Sequence, residues 1–195
     1  MLGTNPIAVA VPAGRELPVV LDMATSLVPR GKIELAARKG EKIPPDWAVD
    51  EAGRPTDDPL RALRGALLPL GGPKGYGMSV VIDIVSGVLA GAAFGAGVGS
   101  LFGDMSRPQN VGNFFLAMDI AAFRDVAEFK RDMDQLIRAL KDSPRADGVS
   151  EIFLPGELEY LRQAERERSG IPLGEEVRRE LARLAEEIGV RCPFA

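Results

Sequence analysis

The chain has 195 residues, enough for one sizeable hydrophobic core with an appendage. Hydrophobic residues make up 46% and charged residues 27%, a globular balance, and a net charge of −4 argues against general affinity for nucleic acid or an anionic membrane. Histidine is absent, which excludes imidazole acid–base chemistry within this chain, and the lone Cys192 excludes an intrachain disulfide or a cysteine metal cluster and fits a reducing compartment, the cytoplasm.

The first fourteen residues lack a basic segment followed by a long apolar run, so they do not read as a signal peptide. Ile7 to Val11 is a short β-branched and alanine run stopped by Pro12-Ala13-Gly14, a strand and turn. Pro18 to Met23 is a second strand, apolar enough to be central, ending in the small residues Ala24-Thr25-Ser26. Ser26 to Lys39 predicts a helix with Ser26 as its cap, Pro29 in its first turn, Ile33, Ala36 and Ala37 on its apolar face, and Gly40 as its stop. Ile43 to Asp58 reads as a long loop, with Pro44-Pro45, Gly53 and Pro55 against regular structure. A helical turn within Leu60 to Leu68 precedes Gly71-Gly72-Pro73-Lys74-Gly75-Tyr76-Gly77.

From Tyr76 the chain is apolar as far as about Leu89, and glycines follow, with Gly87, Gly91, Gly95 and Gly99 spaced by four. That spacing occurs in membrane helix pairs, but Asp83 within the run and turn-forming residues on both sides (Phe102 to Met105 on the far side) favour a buried helix of a soluble domain followed by a glycine-rich loop. Asn113 to Asp119 predicts a strand, Phe123 to Leu140 an amphipathic helix, and Glu151 to Pro155 another strand. Glu157 to Glu167 and Gly174 to Ile188 predict helices with charged faces. Alternating strands and helices give an α/β class, a mixed β-sheet flanked by helices, with an α/β core over 1–155 and a helical segment over 156–195. So few strands are thin for a closed domain of this length, and a strand-bearing portion is expected to be missing.

The chemistry concentrates in the glycine-rich loop. Glycine lets backbone approach a ligand closely, lysine is a flexible point charge suited to phosphate or carboxylate, and the helix that follows offers amides to an anion. A tight turn needed only for packing explains the same residues. No G-x-G-x-x-G, Walker lysine or G-x-S-x-G pattern is present, and Asp57-Asp58 alone makes a poor metal site.

Taken in order, however, several blocks carry a resemblance. They are Gly3-Thr4-Asn5-Pro6, Val20 to Ser26, Arg30-Gly31-Lys32-Ile33, Trp47-Ala48-Val49-Asp50, Thr56 to Pro59, Leu68 to Gly72 with Lys74 to Gly77, and Pro155-Gly156-Glu157. This order resembles the malate/L-lactate dehydrogenase family of NAD(P)-dependent 2-oxo-acid reductases, which lack a Rossmann domain. The resemblance implies an oxidoreductase that moves a hydride between NAD or NADP and a 2-oxo or 2-hydroxy acid, working as a homodimer. It implies cofactor contacts from Asp22, Met23, Ala24, Thr25, Ser26, Leu27 and Val28, from Pro73 and Lys74, and from Gly156, Glu157 and Leu158. It places Asp50 near the substrate, where it would orient a catalytic histidine. In the family that histidine belongs to an N-terminal helical region, so this chain is expected to resemble the C-terminal portion of a longer enzyme, whether through a split gene with a separately encoded N-terminal part, a late start codon or a truncated assembly, and its activity alone is expected to be slight. A non-catalytic dinucleotide-binding relic is the alternative. Two positions depart from the family pattern: Asn113 stands where Gly-His-Phe-Phe is common, and Pro29 replaces a small helix residue.

Overall fold

The computed structural model describes residues 2–99 and 106–193, so Phe102 to Met105 of the expected turn lie outside the described residues. The chain divides into two compact units, Met1–Pro155 and Gly156–Ala195. Its class is mixed α/β.

In the first unit, β1 (Ile7–Val11) pairs antiparallel with β2 (Val19–Met23), in a register that sets Ile7 opposite Met23 and Val11 opposite Val19. The turn between them closes on a carboxylate. Asp134 accepts hydrogen bonds from the backbone amides of Gly14 (2.8 Å), Arg15 (2.9 Å) and Glu16 (3.2 Å). Three successive amides form a concave anion nest, and the Arg15 amide, more than any other group, holds the Asp134 carboxyl below the usual range.

The core of this unit lies around α1 (Arg30–Lys39) and α2 (Pro59–Arg64). Val28, Ile33, Ala36, Ile43, Ala48 and Ala62 form one buried cluster, with Trp47, Leu63 and Leu67 packed against it. Trp47 is thus an anchor for its loop, and the Lys32 Nζ stands 6.0 Å from its ring. Asp58 caps α2 by accepting from the Leu60 amide at 2.8 Å, while Asp57 pairs with Lys42 at 2.6 Å. The acidic pair is therefore split between two structural tasks.

Several elements differ from the sequence expectation. The first helix begins at Arg30, and Ser26 does not cap it. Residues 26–28 form a bridge and a bend rather than a helical turn, because the Leu27 amide donates to Leu68 O (2.8 Å) and Ser26 bridges Pro69. The Ser26 hydroxyl turns instead to Val28 O at 2.8 Å. Within the expected loop, β3 (Ala48–Val49) pairs with β4 (Ala66–Leu67). β2 is not a central strand: among the described residues it pairs with β1 alone, and one mixed sheet gives way to two two-stranded antiparallel sheets.

Asn113 to Asp119 and Glu151 to Pro155 join no ladder among the described residues. The pattern that predicts strands there is an apolar one, and it needs a neighbouring strand to be realised. Pro155 O does accept from the Val20 amide at 3.0 Å without forming a ladder among the described residues.

The apolar helix runs as α3 (Pro73–Asp83) and continues through a π turn, Ile84–Val88. It is not a buried helix. Its buried positions are the small ones, Gly75, Ser79 and Gly87, while Tyr76, Val81, Ile84, Val88 and Leu89 are exposed. No helix among the described residues is long and apolar enough to cross a membrane. The amphipathic α4 spans Val126–Lys141, starting where Asp125 caps it through the Glu128 amide at 2.8 Å; Ile120–Ala122 before it is a separate 3-10 turn.

The second unit holds α5 (Glu157–Ser169) and α6 (Glu175–Ile188). In α5, Glu157 and Glu159 lie in the first turn and Arg166 and Arg168 in the last, the arrangement that complements a helix dipole. On α6, Val177, Leu181, Leu184 and Ile188 form one exposed apolar stripe.

Candidate functional site

The segment from Gly65 to Gly75 threads the candidate residues of the first unit together. At its start, a Cβ on Gly65 would collide with Val49 O and the Asp50 backbone, so the glycine permits a close crossing of two chains. In its middle, the Leu27 amide donates to Leu68 O at 2.8 Å and the Leu70 amide donates to Thr25 O at 2.9 Å. At its end, Gly71 (φ 58°) and Gly72 (φ 62°) turn the chain into α3, with Pro73 at its first position. A Cβ on Gly75 would collide with Leu70 O, so the first helical turn rests directly on the strand that pairs with residues 25–27.

Thr25 is the fixed point of the strand end. It is 2% exposed, and its hydroxyl donates to Thr4 O (3.1 Å) and Asn5 O (3.0 Å), with its amide donating to Thr4 O at 2.9 Å. Its polar groups are thus committed inside the protein. The Ser26 hydroxyl is likewise spent on Val28 O. Asp22 and Met23 belong to β2, opposite Ala8 and Ile7, with Asp22 exposed. Ala24 is half-buried, Leu27 is exposed, and Val28 belongs to the core. What the segment offers outward is backbone, chiefly around Ser26, whose neighbours on either side face residues 68–70.

The start of α3 is chemically open. Its N-cap is Gly72, with no side-chain cap and no acidic residue in the first turn. The first amides of a helix lack intrahelical acceptors and carry partial positive charge. Lys74 is exposed there, and no ion pair engages it among the described residues. An uncapped eleven-residue helix with one lysine in its first turn accommodates a phosphate or carboxylate group.

Asp50 is occupied. Its carboxylate accepts from the amides of Ala52 (2.9 Å) and Arg54 (3.0 Å) and from the Arg54 guanidinium Nε (3.2 Å) and Nη2 (3.0 Å). Its side chain is only 10% exposed. The Arg54 amide, then the Arg54 guanidinium, hold the carboxyl below its ordinary range. Such a group stays ionised near neutrality, so it supplies charge and loop geometry and is poorly suited to carry a proton. Sequence reasoning missed Arg54; the Asp-x-x-x-Arg spacing around Gly53 was the available signal. It also left Asn5 without a role.

Gly156, Glu157 and Leu158 lie in the second unit, at the start of α5. Gly156 takes a left-handed conformation (φ 89°) as the N-cap, Glu157 is half-buried and Leu158 exposed. Among the described residues, no group of three His, Cys, Asp or Glu side chains is placed to hold a metal ion.

The family model described as malate/L-lactate dehydrogenase matches residues 1–182. A malate/(S)-sulfolactate dehydrogenase of Methanothermus fervidus is 40% identical over 194 residues, covering 100% of this chain and 55% of that protein. A ureidoglycolate dehydrogenase (NAD(+)) of Escherichia coli is 35% identical over 175 residues, covering 90% of this chain and 50% of that protein. Among solved structures, the sulfolactate dehydrogenase of Methanocaldococcus jannaschii superimposes with a TM-score of 0.82 at 39% identity, over 97% of this chain and 54% of its own. Malate dehydrogenase of Entamoeba histolytica superimposes with a TM-score of 0.89 at 31% identity, over 98% of this chain and 56% of its own. The chain therefore spans about half the length of the relatives it matches. With its matched blocks running through the Gly65–Gly75 crossing and the strand end it holds, the chain belongs to the malate/L-lactate dehydrogenase family.

Proposed function

We propose that this chain is the dinucleotide-binding part of an NAD(P)-dependent oxidoreductase acting on a small 2-oxo or 2-hydroxy acid, in the non-Rossmann architecture of its family. The observation that carries this reading is the uncapped start of α3, with exposed Lys74, joined through Leu70 to the strand end at Thr25. Lys74 and the first-turn amides of α3 would hold phosphate, with Pro73 fixing the turn. Residues 22–28 would present backbone beside it. NADH or NADPH, when bound, would supply the hydride that reduces a 2-oxo acid, and the oxidised cofactor would take it up from a 2-hydroxy acid. Asp50, held ionised by Arg54, would shape the loop beside the substrate, and it would orient a histidine only if the Arg54 pair opened, because Ala52 and Arg54 fill its acceptor positions.

With no histidine among its 195 residues, the proton comes either from an Asp, Glu, Lys, Tyr or Cys of this chain or from another part of the enzyme. We place the donor in the part of the enzyme that this chain does not span, with a homodimer as the working assembly in a reducing compartment such as the cytoplasm. The names of the relatives support the acid substrate class.

Titration of the purified chain with NADH and NADPH, followed by nucleotide fluorescence, tests the reading, with Lys74→Ala as control. Saturable binding weakened about tenfold by Lys74→Ala is expected, the size of one lost charge-assisted contact. A folded chain that binds neither nucleotide would sink it. Binding without turnover on a panel of 2-oxo acids, even after mixing with the N-terminal part of a relative, would favour a non-catalytic relic.

A further inference from the structure

Asn5 has a left-handed backbone, φ 34°, and is one of two non-glycine residues with positive φ among the described residues, beside Asn110. That conformation is unfavourable for most side chains and tolerated best by asparagine. Here it aims the side chain at a distant element. The Asn5 Nδ2 donates to Ser79 O at 2.9 Å, across 74 positions of sequence. The Asn5 carbonyl accepts from the Thr25 hydroxyl at 3.0 Å. One residue therefore grips both the middle of α3 and the end of β2. Ser79 is buried and follows Lys74 by five positions on the same helix, so its carbonyl is a firm handle on α3. The other tie between these elements is the Leu70–Thr25 bond at 2.9 Å, which precedes the helix. A helix fixed at one point can pivot; one fixed at two points cannot.

We propose that Asn5 is a positioning residue for dinucleotide phosphate. It locks α3 against the 24–27 segment, so that Lys74 and the first amides of the helix stand in a fixed relation to the backbone at Ser26. The proposal rests on the dinucleotide reading above. Asn5 acts through α3 and touches no ligand itself. Leucine or alanine at this position would lose the donor and resist the backbone conformation. Glycine accepts the conformation but loses the donor, and aspartate keeps the shape while setting an acceptor against Ser79 O.

The test is an NADH titration of the whole chain as wild type, Asn5→Gly, Asn5→Asp, Lys74→Ala and the Asn5→Gly/Lys74→Ala double variant, with thermal melting in parallel. Each single change should raise the Kd for NADH about tenfold, the effect of one misplaced charge-assisted contact. In the Lys74→Ala background, Asn5→Gly should add less than about twofold, because both changes remove the same contact. A purely structural role would lower the melting temperature and leave that coupling absent. Unchanged Kd in folded Asn5→Gly and Asn5→Asp, or effects additive with Lys74→Ala, overturns the role of Asn5 while the dinucleotide reading stands. Loss of folding in both Asn5 variants assigns the residue to stability and overturns the proposal. No saturable binding by the wild type overturns the dinucleotide reading and this proposal with it.

Discussion

Asp50 and Asp134 are carboxylates held by backbone amides, and each fixes a turn. For Asp134 the folded pKa lies below the unfolded value of about 3.9. Its contribution to stability is therefore fully present above the unfolded pKa and is lost as pH falls through the folded one. Asp134→Asn should melt below the wild type at pH 7, and the gap should close towards pH 3; a gap independent of pH would show that the nest does not discriminate the charged form. Asp50 has the same sign, so its ionisation is constant from about pH 5 upward. Asp50→Asn loses part of the charge that holds Arg54, and hydrogen exchange at the Ala52 and Arg54 amides should quicken while the rest of the core stays protected. The Asp50 turn was legible as a functional candidate from the Trp47-Ala48-Val49-Asp50 block. Its partner was not, because an Asx-type turn is decided by loop geometry. Asp134 carried no sequence signal at all, since its amides come from residues 118 to 120 positions away.

Among the elements, local chemistry predicted well wherever it acts alone. Gly40 ends α1 with φ 68° as its place in the sequence predicts, whereas the caps Asp58 and Asp125 and the start of α3 at Pro73 follow the same local chemistry at positions the sequence reading does not single out. It failed where a long-range pairing wins: the bonds of residues 25–27 to 68–70 hold in a bridge and bend the backbone that Ser26 would otherwise have made helical. It failed again at Asn113 to Asp119, where an apolar pattern has no ladder to join among the described residues. Ile33 is fully buried at the centre of the α1–α2 cluster, and Ile33→Ala should cost roughly 2–5 kcal/mol by denaturant titration. The crossing at Gly75 admits a sharper check. A methyl there collides with Leu70 O, so Gly75→Ala should push the 68–71 segment away from the strand end. The Leu27 and Leu70 amides should then lose protection from exchange before those of α1 do; equal loss in both would mean that the whole unit had been destabilised.

At the scale of the molecule, the first unit exposes two apolar surfaces of different character. Asn113 to Met118 joins no ladder among the described residues, with Phe115 89% and Leu116 72% exposed. Such a segment suits insertion into a sheet. On α3 and the π turn that continues it, Val81, Ile84 and Val88 are exposed, while Gly75, Ser79 and Gly87 are buried. A helical segment with small residues buried and large ones exposed suits packing against a second helix, and two-fold pairing of the same face is the simplest closed solution. Apolar surface of this extent drives association in water, so the chain should sediment as a species larger than its 20.8 kDa. The two surfaces can be separated. Val81 and Val88 are more than half exposed, so Val81→Glu/Val88→Glu should leave the melting temperature nearly unchanged while shifting the sedimentation profile to monomer. Phe115→Glu should leave a dimer intact, because a two-fold contact through α3 does not use it. A Val81→Glu/Val88→Glu variant that remains dimeric would rule out α3 as the interface, and dissociation by Phe115→Glu alone would move the interface to the 113–118 segment.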